Sequence, residues 1–326
     1  MKTTLIIDGN YILHKNVFTL HKHNMLFGEL HSSMERSFKS VKDKFTWDNI
    51  FFVSDTGRSW RKDILKEYKE TRKTDNSIDW DFVYTAYDEF KDDLPKSVNV
   101  FEKSNIEGDD WIAYLTKIAN ENGHMCVILS NDSDIKQLLD FKVQDNLWIN
   151  IMVNEIWGNE KIYLPKNYEI FLNKLKEEAD KVNLFELSAE IEILDFIKKF
   201  IEKRDKNIVD NRKELIIKLI SGDKSDNISS VFSKKTKSGK SRGIGKTSAT
   251  KICEQFINEN ELNNLNLSNK ELEELSEIIC DIKNIEYNNS EKIKENLIFN
   301  RKLINFNYIP EKIISEMDLK IKKLQW

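Results

Sequence analysis

Carboxylates are concentrated in two stretches, Ile106-Glu107-Gly108-Asp109-Asp110 and Ser130-Asn131-Asp132-Ser133-Asp134. Between them lie a helical-looking segment, Trp111 to Asn122, and an apolar run, Cys126 to Leu129. Two further apolar runs end the same way: Leu5-Ile6-Ile7 leads into Asp8, and Ile50-Phe51-Phe52-Val53-Ser54 leads into Asp55. A single Asp after a strand is commonly only a turn residue. Three such strands, together with Glu107, Asp109 and Asp110, describe a converging set. Converging carboxylates repel by about 4 kcal/mol for a pair at 4 Å and an effective dielectric of 20, so such a set needs cations. Oxygen ligands without His or Cys favour Mg²⁺ or Mn²⁺ over Zn²⁺. Carboxylates holding two such ions are suited to phosphoryl chemistry.

The elements that must position these groups follow from the pattern. Short continuous apolar runs separated by helical segments predict an α/β fold, a parallel sheet buried on both faces. In such sheets ligands bind beyond the carboxyl ends of the strands, where all these acids lie. Asp109 and Asp110 stand where a helix begins, at the positive end of its dipole. Asp132 and Asp134, at a spacing of two, face one side if the chain stays extended. Leu30 to Phe45 reads as an amphipathic helix leading to the second strand, and Leu147 to Trp157 as one or two short strands.

A length of 326 residues permits one large or two modest domains, and 33% charged with 40% hydrophobic residues is the composition of a soluble globular protein. No apolar run approaches a membrane span and no signal-peptide pattern is present, so the expectation is a cytoplasmic chain. Cys126, Cys253 and Cys280 lack metal-ligand spacing and read as buried reduced thiols. His21 and His23 read as solvated. A net charge of -4 excludes a generic polyanion binder, so nucleic-acid contact must come from local basic patches.

Two such patches are present. Arg58, Lys62, Lys66, Lys69 and Lys73 recur at spacings of four, four, three and four, a stripe along one helical face directly after Asp55. A solvated face is the bland alternative, since Asp63, Glu67 and Glu70 lie beside it. Tyr68 next to Lys69 offers a stacking surface for a base. From Ser233 to Lys251 every charge is positive: Lys234, Lys235, Lys237, Lys240, Arg242, Lys246 and Lys251. Within this stretch Gly243-Ile244-Gly245-Lys246-Thr247 opens a helix through Phe256, and its backbone amides suit a phosphate. Leu215 to Ile220 reads as a helix, followed by a loop carrying Asp223 and Asp226. Lys174 to Lys206 reads as a charged helical stretch with Leu184, Phe185, Leu187, Ile191, Ile193, Leu194, Phe196 and Ile197 as its packing face. Glu261 to Trp326 reads as helical, its apolar end at Leu324 and Trp326 suited to a partner.

Taken in order, Ile7-Asp8-Gly9-Asn10, Ser54-Asp55, Tyr68-Lys69-Glu70-Thr71-Arg72, Glu107-Gly108-Asp109-Asp110, Asn131-Asp132-Ser133-Asp134, Gly222-Asp223-Lys224-Ser225-Asp226-Asn227 and Gly243-Ile244-Gly245-Lys246-Thr247 resemble the 5′-nuclease superfamily of flap endonucleases and 5′ to 3′ exonucleases. Trp60-Arg61 and Asn305-Phe306-Asn307-Tyr308-Ile309-Pro310 resemble its ribonuclease H branch in T-even phages. The resemblance implies a PIN-like nuclease domain over residues 1–163 with a helical arch at 58–75. A charged helical insertion, 164–212, and a DNA-binding region with a helix-hairpin-helix-type motif, 213–326, would follow, with K⁺ held at that motif.

By position, the resemblance implies that Asp8, Asp55 and Asp109 serve a first Mg²⁺, with Glu107 and Asp110 close by. Asp132, Asp134 and Asp223 would serve a second, to which Asp109 would bridge, with Asp226 a further or outer-shell ligand. Lys69 and Arg72 would stabilise the scissile phosphate, Tyr68 would stack on a base, and Arg58, Arg61, Lys62, Gly243, Gly245, Lys246 and Thr247 would contact nucleic acid. The substrate would be DNA with a 5′ flap or 5′ end, or an RNA–DNA hybrid. The chain would act as a monomer, off the membrane, alongside a single-stranded-DNA-binding protein or sliding clamp. Some ten polar residues between Val231 and Gly243 interrupt a turn that is compact in the family, and the 174–206 stretch is longer than the usual connection. A haloacid-dehalogenase-type phosphatase would need Asp where Asn10 stands, and a P-loop would need Gly where Lys240 stands. A non-catalytic DNA-binding adaptor would need the basic loop without the acids.

Overall fold

The computed structural model describes residues 1–144, 146–156, 159–180, 189–202, 205–235, 241–260, 266–322 and 324. It divides into two compact units, one of Met1–Ser59, Thr74–Val209 and Ile313–Trp326, the other of Trp60–Lys73 and Asp210–Lys312.

In the first unit β1 (Lys2–Asp8), α1 (Gly9–Lys22), α2 (Leu26–Lys42), β2 (Asn49–Val53), α3 (Trp80–Asp92), β3 (Val98–Phe101), α4 (Gly108–Glu121) and β4 (His124–Leu129) follow one another. Then come β5 (Phe141–Lys142), β6 (Trp148–Ile156), β7 (Asn159–Pro165), α5 (Tyr168–Asp180), α6 (Ala189–Glu202) and β8 (Asp205–Val209). The sheet runs β3-β2-β1-β4-β6-β7-β8, with β5 added to β6. Strands β3, β2, β1, β4 and β6 are parallel, as their apolar runs predict, whereas β7 returns antiparallel to β6 and makes the sheet mixed.

Alternate residues of the central strands serve opposite faces. Leu5, Ile7, Phe52, Val127 and Leu129 join a core with Ile12, Leu13 and Val17 of α1, Phe38 of α2 and Phe90 of α3. On the other face Phe51 meets Phe101, which packs on the buried Trp111 of α4. The sheet is thus covered on both sides, which parallel strands require. In register, Ile7 lies between Phe52 and Leu129, so β1, β2 and β4 end at one level. The order of strands reverses between β1 and β4, the place where sheets of this class open a crevice.

The second unit contains α7 (Asn211–Ser221), the antiparallel pair β9 (Ser233–Lys235) and β10 (Ser241–Gly243), α8 (Lys246–Glu259), α9 (Asn269–Lys283) and α10 (Ser290–Ile304). Its core joins Leu219, Ile220, Ala249, Ile252, Phe256, Leu275, Ile279 and Leu297 with Tyr68. α11 (Glu311–Ile321) lies almost wholly in the first unit, where its Glu316 pairs with Lys103 at 2.9 Å.

Several expectations need correction. Residues 57–75 hold a single 3₁₀ turn, Trp60–Asp63, and no α-helix. Lys69 sits at φ +61°, a left-handed conformation that ends any helical stripe there. Lys206 lies in β8 and pairs with Ile162, because the run Asn207-Ile208-Val209 favours a strand edge over a helix end. Ile193, Leu194, Phe196 and Ile197 of α6 pack inward, but Ile191 is exposed. Trp157, Leu184, Phe185, Leu187, Lys237, Lys240 and Trp326 lie outside the described residues. The three cysteines are free and buried. Among the described residues, no helix is long and apolar enough to cross a membrane.

Candidate active site

Asp8 ends β1 and caps α1, accepting the Tyr11 amide at 3.0 Å on Oδ1. Its Oδ2 accepts the Ser130 hydroxyl at 2.7 Å, one residue past the end of β4. Burial pushes the Asp8 carboxyl up to about 6; the hydrogen bonds from Ser130 and Tyr11 oppose this, and the charges of Asp55 and Asp132 add to it. Those two charges couple the ends of β1, β2 and β4 in one field. A half-buried carboxylate with two other acids beyond the neighbouring strands is a place that favours a cation.

The neighbouring glycines make room for this approach. A Cβ at Gly9 would lie 2.3 Å from the Tyr87 hydroxyl and 2.4 Å from the Phe52 ring. Tyr87 in turn donates to Ser54 at 3.1 Å, and burial holds its own pKa well above the usual range.

Asp55, two residues beyond β2, accepts the Gly108 amide at 2.5 Å, so the N-terminus of α4 is aimed at its carboxylate. Its own amide donates to Asn10 at 3.4 Å. Glu107 caps α4 and is buried, taking the Ser59 hydroxyl at 2.6 Å. Asp110 is fully buried and accepts the Glu107 amide at 3.2 Å, closing a capping box. Both acids therefore have a part in building the helix start, and Asp109 between them is half-buried.

Asp132 and Asp134 are also half-buried. The chain is not extended between them: Asp132 Oδ1 accepts the Asp134 amide at 2.8 Å, and Asp134 starts a 3₁₀ helix, Asp134–Leu138. A short acceptor side chain two residues before an amide folds the backbone locally, and this overrides the extended reading. The Asp132 amide donates to Ser130 at 3.0 Å.

Sequence reasoning assigned no role to Ser130, Asn10 or the chain Tyr11–Asn154–Asn131, in which Tyr11 donates to Asn154 at 3.0 Å and Asn154 donates to Asn131. Asn10 and Asn131 left a signal as members of the acidic motifs, whereas the Ser130 bond to Asp8 left none in local sequence.

In the second unit Asp223 and Asp226 follow α7 in a closed turn, with the Asp223 and Ile228 amides and carbonyls exchanged at 2.9 and 2.7 Å. Burial would raise Asp223, but the Lys218 ammonium at 2.6 Å and the hydrogen bonds from Ser225 overcome it and hold the carboxyl down at about 2. Asp226 is buried; its Oδ1 pairs with Arg72 at 2.6 Å and its Oδ2 accepts the Tyr68 hydroxyl at 2.8 Å.

Of the residues expected to meet nucleic acid, Arg58, Gly243, Gly245, Lys246 and Thr247 are exposed and Lys62 is half-buried. Gly245 caps α8 with open space where a side chain would stand. Two assignments are corrected. Tyr68 is 3% exposed, packed in the core of the second unit, so its ring is not presented to a base. Arg61 is 4% exposed; it stacks on Trp60 and donates to the Leu303 carbonyl at 2.8 Å, which makes it part of the packing.

Residues 3–165 match the profile of the 5′-3′ exonuclease N-terminal, resolvase-like domain. The chain belongs to the 5′-3′ exonuclease family. This 5′-3′ exonuclease family member is an enzyme, a nuclease hydrolysing phosphodiesters. It is 28% identical over 248 residues to a 5′-3′ exonuclease of Mycoplasmopsis pulmonis, covering 74% of this chain and 77% of that one. Over 101 residues it is 32% identical to the ribonuclease H of Enterobacteria phage T4, covering 28% of this chain and 32% of that protein. Among solved structures, zinc-bound bacteriophage T5 5′-exonuclease superposes with a TM-score of 0.58 at 17% identity, covering 99% of this chain and 94% of that chain. A bacteriophage T5 flap endonuclease variant, in a pseudo-enzyme-product complex with DNA and metal ions, gives 0.58 at 16% identity over the same shares. These two likenesses show the fold.

Proposed function

We propose that this nuclease hydrolyses phosphodiesters near the 5′ ends of flap or duplex DNA and of RNA–DNA hybrids, using two Mg²⁺ ions for which Mn²⁺ can substitute. The observation that carries this reading is that β1, β2 and β4 end at one level, with Asp8, Asp55 and Asp132 just beyond these three parallel strands and Asp8 tied to Ser130. The donor set fits hard divalent cations: it is all oxygen, and its members repel one another until a positive charge is bound.

In this reading Asp8, Asp55 and Asp109 hold one ion, with Glu107 and Asp110 framing the helix start beside them. Asp132 and Asp134 hold the other. Asp223 and Asp226 are metal-binding residues of the second unit on the strength of the family pattern. Bound there, the ions supply an activated water and charge stabilisation for the leaving 3′ oxygen. Lys69 and Arg72 offset the charge that develops on the scissile phosphate.

Functionally, residues 1–163 with the 58–75 segment form the nuclease part, 164–212 an insertion, and 213–326 the DNA-binding part. Gly243, Gly245, Lys246 and Thr247 at the start of α8 would take a backbone phosphate, with K⁺ at that turn, and Arg58 and Lys62 would add phosphate contacts. The biological role is removal of primers or flaps in phage DNA replication, by a monomer in the host cytoplasm working beside a single-stranded-DNA-binding protein or clamp. Likeness over 101 residues to the ribonuclease H of Enterobacteria phage T4 supports a phage setting.

The test is Asp8→Ala and Asp132→Ala. Each removes an inner carboxylate, and each is expected to lower turnover by at least about a hundredfold. Near-normal turnover in both variants would defeat the site.

A further inference from the structure

The Tyr68 hydroxyl is buried, yet it is not idle: it donates to Asp226 Oδ2 at 2.8 Å. The other oxygen of the same carboxylate takes Arg72 Nη2 at 2.6 Å, and the Asp226 carbonyl accepts the Lys69 amide at 3.1 Å. Neighbouring groups repeat the attachment. Arg72 Nε donates to the Ser225 carbonyl at 3.4 Å, and Asn227 Nδ2 donates to the Glu67 carbonyl at 3.0 Å. Five contacts thus lay the 67–72 segment along the 225–227 turn.

Lys69, caught between them at φ +61°, adopts a backbone conformation that a non-glycine residue rarely holds without such support. Its ammonium stands 5.2 Å from the centre of the Tyr68 ring. One aromatic residue therefore anchors both basic side chains, the first through its ring and the second through the carboxylate that its hydroxyl fixes.

We propose that Tyr68 is a positioning residue, whose hydroxyl orients Asp226 so that Arg72 is held ready for the phosphate. The inference rests on the reading that Arg72 acts at the scissile phosphate. A base-stacking role for Tyr68 would depend on the ring, whereas positioning depends on the hydroxyl. Tyr68→Phe separates the two, because it keeps the buried ring and removes the oxygen.

The experiment measures single-turnover cleavage, DNA affinity and melting temperature of the full chain for wild type, Tyr68→Phe, Tyr68→Leu, Arg72→Ala and the Tyr68→Phe/Arg72→Ala pair, on a 5′-flap DNA with Mg²⁺. Loss of a hydrogen bond to a charged group predicts a cleavage rate roughly tenfold lower for Tyr68→Phe, with affinity within about twofold of wild type. The melting temperature should fall by only a few degrees, leaving the chain folded at the assay temperature, and Tyr68→Phe should cost nothing further once Arg72 is gone. A wild-type rate in Tyr68→Phe with loss only in Tyr68→Leu would assign the ring and overturn the proposal. So would full additivity in the double variant, or unfolding of Tyr68→Phe at the assay temperature. Arg72→Ala alone tests the underlying reading: a wild-type rate there removes Arg72 from the reaction, whatever Tyr68 does.

Discussion

His124 illustrates how single residues of this fold respond to their surroundings. It opens β4, is 1% exposed, and shares a 2.8 Å hydrogen bond with the Thr4 hydroxyl. Burial, with the Lys2 charge nearby, pushes its pKa down to about 4. Between that value and about 6.5, the unfolded chain binds a proton that the folded chain refuses. Stability is therefore complete above about pH 6.5 and falls as the pH drops towards 4. Denaturation in urea at pH 7.5 and pH 5 should show the wild type losing roughly 2 kcal/mol more than His124→Gln between the two conditions. Equal losses in both proteins would contradict it. Other residues were legible to the extent that their role is local. Asp8 is announced by the apolar run before it, and Asp109 with Asp110 by standing where a helix begins. Ser130 was not legible, because its bond to Asp8 joins residues 122 positions apart.

Among the elements, α4 and the strands β1, β2 and β4 were readable because one pattern, apolar period and flanking polar residues, decides each of them. The 58–73 segment was not. Its lysine spacing imitates a helix, but Arg61 is tied to Leu303 and Tyr68 to Asp226, and contacts of such separation leave no trace in local spacing. β8 was missed for a related reason, since a strand of five residues directly after a charged helix is hidden by the helix pattern. The end of α7 depends on one residue that sequence does mark. Gly222 has φ +68°, and a Cβ there would lie 2.4 Å from the Ile228 carbonyl oxygen. Gly222→Ala should destabilise the chain by about 2–4 kcal/mol, through backbone strain and overlap together. Chemical denaturation measures this; a change below about 0.5 kcal/mol would show that the turn carrying Asp223 and Asp226 tolerates another geometry.

At the scale of the whole molecule, the ordered series of short motifs from Ile7-Asp8 to Lys246-Thr247 made the family readable, and the profile match over residues 3–165 bears that reading out. Division into compact units was harder to read, because one unit draws Trp60–Lys73 together with Asp210–Lys312 from distant parts of the chain. The central claim is that acids at the strand ends make this family member a metal-dependent nuclease acting at 5′ ends. It is tested most directly by cleavage of a 5′-flap DNA, labelled at each end in turn, with Mg²⁺ and with EDTA. Low salt is needed because phosphate contacts weaken steeply as salt rises. The account predicts products released from the flap or 5′ end with Mg²⁺ and none with EDTA, their lengths separating endonuclease from exonuclease action. DNA bound but left intact with Mg²⁺ and with Mn²⁺, or cut equally well in EDTA, would contradict it.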